Sequence, residues 1–523
     1  MAGLNEKSMK LRKYILAAAI LIAGQFIANA QKFDFYQSTS KAAISDKSPM
    51  PSVLCKMGSS YYLLRADNDG KLIMLDKYGE DFKSVYSKTI ADNSSAAEGT
   101  YMFLGFFKMK DHFIYASATS DGSKWTYTAT PVSADGEPGA AQTLAEIENS
   151  DKVDFDYYHH LPFAVSPDGN KFVVYTYKYK DKAGGKKTIH KFIIAGADGK
   201  VAGTADYTVP NCDNVYIVKA CIDNTGKFYA ISNVNASPDA GEGKFNLLTG
   251  DANTGLNASM LMGDYNMVSN QYFDLRISKK GDLLFSGLML THTKGQPEEP
   301  KAVFYRRINA DNGQTIVNKS NPIAATELPK FVIKGNSGKT VNFGYQFQVV
   351  EGDDDDLYFF TEADKDEFDK NGNLAGKQTE SILVQHILSK GTVGWSSFID
   401  KKQELKKGYA NYGSYSVINS NDKLYVLYNE SQAIAGKLAA KGELTGGDDY
   451  GKEITFDKPV IIAAQVNKSD GKVTKKVFVQ YGENNSECVI DPSTIKQVQS
   501  NQLIFLSTSK PGDEFVMGII KAK

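Results

Sequence analysis

An excess of charge of either sign is absent from this sequence, in which 60 Lys and Arg residues are balanced by 61 Asp and Glu residues. Binding to nucleic acids usually requires a strong positive field, so DNA and RNA are excluded as expected partners. Histidine is scarce as well, with six residues in 523, which limits metal-binding and acid–base schemes. The chain has four cysteines, and a domain of this size needs no disulfide framework to hold its core.

Long hydrophobic runs are also absent, apart from one near the N-terminus. The run from Tyr14 to Ile27 follows a basic stretch, and Ala28-Asn29-Ala30 then gives the small-x-small pattern that a signal peptidase accepts. We therefore expect residues 1–30 to be a signal peptide. A lipid anchor would require cysteine where Gln31 stands, and no later run is long enough to span a bilayer. The expected product is a periplasmic or secreted protein with no membrane span and no lipid anchor.

Glycine and the aromatic residues are abundant, with 45 Gly, 29 Tyr and 28 Phe. Stretches with the periodicity of long amphipathic helices are nearly absent. This combination favours many short strands joined by tight turns. The sequence therefore predicts an all-β protein.

One hairpin pattern, an apolar strand, a short polar turn and a second apolar strand, recurs along the chain. The copies begin at Pro51, Met102, Leu161, Val215, Tyr272, Tyr345, Tyr415 and Ser493. A second hairpin with a glycine in its turn follows all but the last, at Gly79, Gly136, Gly199, Gly255, Gly313, Gly391 and Gly471. Because four antiparallel strands make one blade of a β-propeller, the sequence predicts an eight-bladed propeller over residues 31–523, with seven blades as the alternative count. The predicted blades are 51–90, 98–146, 159–209, 213–264, 270–320, 341–400, 411–480, and 488–523 together with 32–38.

The two ends of the predicted propeller complement each other. The eighth unit stops at its third strand, EFVMGIIKAK, while the mature N-terminus opens with an orphan strand, KFDFYQS. We predict that the N-terminal strand completes the last blade and closes the ring, which removes an open sheet edge. Closure would make the first and last blades neighbours, so a disulfide between Cys55 and Cys488 is geometrically possible. Cys212 and Cys221 flank one predicted strand, which holds their Cα atoms too far apart to form a disulfide.

The third copy, LPFAVSPDGNKFVVYTY, resembles the WD40-like repeat of periplasmic TolB-type propellers, in which a Ser-Pro-Asp-Gly turn joins the first two strands of a blade. The matching residues are Ser166 to Gly169 with their flanking strands, and looser echoes occur at Asp223 and Ser278. The resemblance implies a propeller fold. It also implies a protein partner, because proteins of that kind mostly bind other proteins.

The two faces of the predicted propeller differ. The first-to-second and third-to-fourth turns lie on one face, here called the hairpin face, and are short. The second-to-third loops and the connections between blades lie on the other, here called the loop-rich face, where long segments are predicted at Thr291–Pro300, Asn318–Val341, Glu362–Glu380 and Glu430–Lys458. Long loops in a compact domain usually carry function. The binding surface is therefore predicted on the loop-rich face over blades five to seven, with plain solvated loops as the alternative.

Candidate ligand-binding residues are predicted at the channel mouth on the same face. Each first strand, or the connection before it, offers a tyrosine: Tyr101, Tyr158, Tyr216, Tyr272, Tyr345 and Tyr412. Such rings stack on sugars or grip a peptide, and ordinary packing between blades is the alternative. The polar cluster DFDYYHH adds Asp156 and His159 to these candidates. Adjacent histidines on an extended chain point to opposite sides, so no metal site is predicted there.

Catalytic and cofactor signatures are not found. The acidic segments that begin at Glu351 and Asp364 lack the register of an EF-hand loop, so no cofactor is predicted and only an adventitious surface calcium stays open. GNSGKT at Gly335 lacks the first glycine of a phosphate-binding loop. SDGSKW at Ser120 lacks the spacing of a sialidase Asp-box, and no Gly-x-Ser-x-Gly elbow occurs.

Two functional hypotheses follow from these observations. The first is a non-catalytic binding or scaffold propeller of the cell envelope, which holds a protein or peptide on its loop-rich face. The second is a carbohydrate-binding or carbohydrate-active propeller, such as a lectin, lyase or hydrolase. We prefer the first because no acid–base pair is evident in the sequence.

Overall fold

A computed structural model describes most of the chain after the N-terminal segment. The described residues are 33–37, 42–43, 51–67, 69–148, 163–176, 179–180, 187–210, 214–235, 243–262, 272–291, 299–324, 341–369, 374–406, 412–431, 459–479, 489–499, 502–508 and 514–522. Their elements are β-strands and one short 3₁₀ helix. Within this part of the chain, no helix has the length and apolar character needed to cross a membrane.

The strands follow one another as consecutive antiparallel blades. Two short strands come first, β1 (Phe33–Gln37) and β2 (Ala42–Ala43). Blades one and two are β3 (Ser52–Met57), β4 (Ser60–Ala66), β5 (Leu72–Tyr78), β6 (Ser84–Asp92), β7 (Tyr101–Lys108), β8 (Phe113–Ser120), β9 (Lys124–Val132) and β10 (Gln142–Glu148). Blades three and four are β11 (Phe163–Val165), β12 (Lys171–Tyr175), β13 (Tyr179–Lys180), β14 (Lys187–Gly196), β15 (Val201–Pro210), β16 (Asn214–Ile222), β17 (Phe228–Asn235), β18 (Gly243–Asp251) and β19 (Gly255–Met262).

The second half of the chain repeats this order. Blades five and six are β20 (Phe273–Ile277), β21 (Leu283–Thr291), β22 (Glu299–Ile308), β23 (Thr315–Pro322), β24 (Val341–Glu351), β25 (Leu357–Phe368), β26 (Leu374–Ile387), β27 (Val393–Ile399) and β28 (Gln403–Lys406). Blade seven is β29 (Ser416–Ser420), β30 (Lys423–Ser431), β31 (Pro459–Asn467) and β32 (Val473–Val479). Blade eight contains β33 (Val489–Ile490), the 3₁₀ helix Pro492–Thr494, β34 (Lys496–Gln499), β35 (Gln502–Thr508) and β36 (Glu514–Ala522).

The N-terminal strand closes the ring, as predicted. Strand β1 pairs antiparallel with β36 from Phe33 opposite Ala522 to Gln37 opposite Gly518. Strand β2 continues the pairing farther along β36. The last blade therefore takes its fourth strand from the start of the chain, and the predicted eight-bladed all-β propeller is confirmed, while the alternative of seven blades is wrong.

Eight separate hydrophobic cores, one between each pair of neighbouring blades, hold the ring together. The core between blades one and eight joins Val53, Tyr61 and Leu63 to Ile504 and residues of β36. The seven other cores repeat this arrangement around the ring. Because strands alternate their side chains between two faces, each blade contributes to two cores, and burial of apolar area stabilises every interface.

The Ser-Pro-Asp-Gly turn of blade three shows why its residues are needed. The Ser166 hydroxyl donates to the Asp168 carboxylate at 2.7 Å. Gly169 has a φ of +67°, and a Cβ there would lie 2.6 Å from the backbone nitrogen of Lys110 in the neighbouring hairpin. The same Lys110 N–H donates to the Gly169 carbonyl at 3.0 Å. Glycine thus allows two hairpin turns of adjacent blades to bond directly.

Two details of the sequence-based prediction are wrong. The segment Glu362–Glu380 is not a loop, because β25 continues to Phe368 and β26 begins at Leu374. In the third-to-fourth turn of blade one, the residue with positive φ is Phe82, at 59°, and not the predicted Gly79. The turn runs from Gly79 to Lys83, and its fourth residue, Phe82, takes the left-handed position that Gly199 takes in the equivalent turn of blade three.

The described cysteines carry free thiols. Cys55 and Cys221 are unpaired, so a Cys55–Cys488 bridge does not form. Burial raises the pKa of the Cys55 thiol to about 11, which keeps it protonated and unreactive at neutral pH. Cys212 and Cys488 lie outside the described residues.

Candidate functional site

The tyrosines predicted for the channel mouth that the structure describes with their side chains are buried. Tyr101, Tyr272 and Tyr412 are at most 9% exposed. The Tyr101 hydroxyl donates to the Gly70 carbonyl at 2.9 Å and lies 2.8 Å from the Tyr115 hydroxyl, and Tyr272 packs in the core between blades five and six. Their burial favours the alternative of packing between blades.

The structure does not describe the side chains of the remaining candidate residues. Tyr216 and Tyr345 lie on the first strands β16 and β24. Asp156, Tyr158 and His159 lie outside the described residues. The ligand-binding role of these residues therefore stays a prediction.

Blade six instead carries a feature that the sequence reasoning missed, a raised sheet above the loop-rich face. Strand β24 pairs with β25 over its whole length, from Val341 opposite Glu367 to Glu351 opposite Leu357. The fourth strand β27 covers only the lower part of β26, up to Ile382. Above that point, β28 pairs with β26 from Gly376 to Thr379. The upper parts of β24, β25 and β26 together with β28, here called the raised sheet, form a rigid element where a loop was predicted.

A buried ion pair lies at the base of the raised sheet. The Lys401 ammonium donates to Oε1 of Glu362, and both side chains are 0% exposed. Burial lowers the pKa of Lys401 and raises that of Glu362, while the charge of each partner opposes this effect in the other. An ion pair without water is costly unless further hydrogen bonds support it. Lys401 has such support, because it also donates to the Thr379 hydroxyl at 3.0 Å and lies 5.6 Å from the centre of the Tyr428 ring.

The ion pair belongs to a polar network that crosses three blades. The Thr379 hydroxyl donates to Oε1 of Gln403 at 2.9 Å, and the Gln403 amide donates to the Asn429 carbonyl at 2.7 Å. The Asn429 amide donates to the Ile490 carbonyl, and the Ile490 N–H donates back to Asn429 at 3.2 Å. Blades six, seven and eight are thereby tied together on the loop-rich face by side chains that are all buried. Except for Oε2 of Glu362, which is buried without a partner, the side chains of this network have hydrogen-bond partners, and such a network favours one arrangement of the blades.

A second carboxylate faces the same lysine. Glu430 ends β30 at the start of the second-to-third loop of blade seven, and it is 1% exposed. It accepts a hydrogen bond from the Ser431 N–H at 2.9 Å. Burial raises the pKa of Glu430 to about 7, although the Ser431 N–H and the charges of Lys401 and Lys475 oppose this. The charge of Lys401 thus acts on two buried carboxyl groups, directly paired with Glu362 and more weakly on Glu430, and Glu430 is the group whose charge changes near neutral pH.

The upper part of the raised sheet is also built on paired charges. Asp364 accepts hydrogen bonds from Lys377 at 2.7 Å and from the Gln346 amide at 2.9 Å. Lys365 donates to Glu367 at 2.9 Å. These pairs are largely buried and fix the side chains on the sheet surface. The arrangement suits a rigid platform, because these charged groups form ion pairs with one another within the sheet.

The acidic turn at Glu351 lies on the hairpin face and meets cations of blade five. Asp354 and Asp355 both have positive φ, at 56° and 67°. Lys280 lies 3.3 Å from Asp354, and Arg307 lies 3.6 Å from Asp355. Among the described residues, no group of three or more His, Cys, Asp or Glu side chains is placed to hold a metal ion.

Comparison with known proteins shows similarity of fold only. No family model and no curated protein matches the sequence. A solved polysaccharide lyase, Uly1, is 10% identical over 95% of this chain and 93% of its own, with a TM-score of 0.39. The WD40 domain of SCAP from fission yeast is 10% identical over 94% of this chain and 98% of its own, with a TM-score of 0.35. The β-propeller domain of Nup133 from Vanderwaltozyma polyspora is 9% identical over 81% of this chain and 100% of its own, with a TM-score of 0.36. These neighbours include both scaffold and enzyme, and such distant similarity assigns neither role to this chain.

Proposed function

We propose that this chain is a non-catalytic binding propeller of the cell envelope, exported by its N-terminal signal, which holds an extended protein segment on its loop-rich face. The observation that carries the proposal is the raised sheet of blade six. Its outer strand β28 pairs with β26 on one side, and no described strand pairs with its other side. An unpaired strand edge is the surface to which extended peptides add as a further strand.

Rigidity of the raised sheet supports this role. Side chains on one face of β28 are held in place, since Gln403 belongs to the buried network and Leu405, two residues on, is 4% exposed. A platform ordered before binding loses little conformational entropy when a partner arrives. The hairpin face lacks a comparable edge among the described strands, because its turns bond to one another across blades.

The proposal is tested by photo-crosslinking in the producing cell. A photoreactive residue replaces Glu404, a half-buried position on β28, and in a matched control it replaces Asn312, an exposed turn residue of the hairpin face. We expect adducts at position 404 that map to one extended segment of a protein, and none from that segment at position 312.

A synthetic peptide of the mapped segment then tests the mode of binding. It should bind the purified propeller saturably and lose affinity when alternate backbone nitrogens are methylated, because methylation removes strand pairing and leaves the side chains unchanged. Adducts confined to position 312, or equal binding of the methylated peptide, would overturn the proposal. Saturable binding of a glycan at position 404 would instead support the carbohydrate alternative.

A further inference from the structure

Two lysines of the central channel face blade one from opposite sides. The innermost strand of blade one, β3, contacts β7 of blade two and β34 of blade eight. Lys108 lies opposite Phe113, whose side chain packs in the core shared with blade one, and Lys496 lies opposite Ile504, which packs in the other core shared with blade one. Because directly opposed residues of an antiparallel pair share a sheet face, both lysines point toward β3.

No carboxylate among the described residues neutralises these two lysines. Neither ammonium forms an ion pair or hydrogen bond with a described residue, and both residues keep solvent-accessible surface, although neighbouring atoms partly shield Lys496 from water. The charged or titratable groups that act on Lys496 are Cys55 and Lys108, and burial together with repulsion by Lys108 lowers the pKa of Lys496. Other lysines with shifted pKa values each have an acidic neighbour, as Lys77 has Asp135.

The cysteine between the lysines does not supply the missing charge. Two nearby cations favour a thiolate, but burial outweighs them and raises the pKa of the Cys55 thiol to about 11. At neutral pH the group is therefore a neutral thiol, which acts as a weak hydrogen-bond donor. Among the described residues, the positive charges of Lys108 and Lys496 on either side of β3 therefore have no acidic partner.

We propose that Lys108 and Lys496 form a binding site for a small oxyanion, such as phosphate or sulfate, in the channel beside β3. Two ammonium groups that face the same strand from its two sides repel each other, and an anion between them would remove this repulsion. A lysine ammonium binds phosphate as a point charge and does not require the bidentate geometry with which an arginine guanidinium binds it. The Cys55 thiol borders the same site as a neutral donor. The site is independent of the raised sheet and lies on inner strands of blades eight, one and two.

The experiment measures binding of phosphate, sulfate and acetate to the purified protein by calorimetry and by thermal unfolding, at ionic strength held constant with chloride. We expect a saturable rise in the unfolding temperature, because a ligand that binds only the folded state stabilises it by mass action. The double variant Lys108→Ala/Lys496→Ala should weaken binding by about tenfold or more, since each charged hydrogen bond contributes about that factor. The order of affinity among the three anions separates a tetrahedral oxyanion site from a carboxylate site.

A charge-matched control guards against general electrostatic attraction. The variant Lys83→Ala/Lys124→Ala removes two surface lysines that pair with Asp81 and Glu146, and it should bind the anions as the parent does. Equal weakening in the two double variants, or no saturable binding in the parent, would overturn the proposal.

Stability without the anion gives a second readout. In chloride buffer, Lys496→Ala should be at least as stable as the parent, because it removes repulsion between the lysines. A clear loss of stability in this variant would show that Lys496 has a partner within the fold, and the proposal would fail.

Discussion

The charge of Glu430 should control the stability of the propeller near neutral pH. The variant Glu430→Gln keeps the shape of the side chain and an acceptor for the Ser431 N–H, but it cannot ionise. At low pH, where Glu430 is protonated, the parent and the variant should be equally stable. At pH 8 the parent must hold the Glu430 carboxylate in a buried position near Lys401, which already pairs with Glu362, and near Lys475, and the variant need not.

The magnitude follows from the pKa. Burial raises the pKa of Glu430 from 4.5 to about 7, so the folded chain binds this proton more tightly than the unfolded chain does. The corresponding stability is present below pH 4.5 and is lost as the pH rises through about 7. The difference amounts to roughly 3 kcal/mol in the free energy of unfolding. Glu430→Gln should therefore exceed the parent by up to about 3 kcal/mol at pH 8.

Urea unfolding monitored by tryptophan fluorescence from pH 4.5 to 8.5 measures this difference. Trp395 packs against the core between blades six and seven and reports on the unfolding of that core. Glu98→Gln, at an exposed glutamate before β7, is the control and should follow the parent at every pH. A gap between Glu430→Gln and the parent that is the same at pH 5 and pH 8 would refute the reasoning.

Three further predictions concern the ion pair, a hairpin turn and the closing strand. Lys401→Met should lower the free energy of unfolding by about 3 to 5 kcal/mol because Glu362 stays buried without its partner. The double variant Glu362→Gln/Lys401→Met should regain most of the lost stability in the same urea assay. Equal losses in the single and the double variant would contradict this prediction. Gly169→Ala should lower the unfolding temperature more than Gly281→Ala, since both have positive φ but only the first places a Cβ 2.6 Å from backbone. Deletion of residues 33–37 should speed amide exchange in β36, measured by mass spectrometry, and leave β17 of blade four unchanged; full protection of β36 would show that the ring does not need this strand.

The fold was predictable because every blade repeats the same local signals. Alternating apolar strands and glycine turns repeat around the chain, and the orphan strand at the N-terminus matches the missing strand at the C-terminus. Phe82 shows the limit of such signals. It occupies the fourth position of a five-residue turn, where the equivalent turn of blade three has Gly199, so the position in the turn and not the glycine dipeptide decides which residue is left-handed.

The raised sheet was missed because its strands are polar. Segments as charged as ADKDEFDKNG are typical of solvated loops, yet here Asp364 and Lys377 neutralise each other across β25 and β26. One available signal was the Asn-Gly pair at Asn371, which is a strong hairpin signal. The ion pair itself could not be predicted, because Lys401 and Glu362 are 39 residues apart and meet only when the blade connection folds over the sheet.

The two faces of the propeller are held by different chemistry, and this difference bears on function. From blade two to blade five the hairpin turns bond through backbone carbonyl acceptors, which carry no titratable proton: Lys110 N–H to Gly169, the Lys171 ammonium to Asn224, and the Lys227 ammonium to Ala310. On the loop-rich face the links between blades six and eight run beside Glu362 and Glu430, whose ionisation is disfavoured by burial. A change of pH near neutrality therefore acts on the base of the raised sheet and not on these three links, although the hairpin face also has a histidine link, from the His112 ring to the Ala197 carbonyl at 2.8 Å. If the raised sheet binds an extended segment, its affinity should follow the titration of Glu430, and Glu430→Gln should remove that dependence.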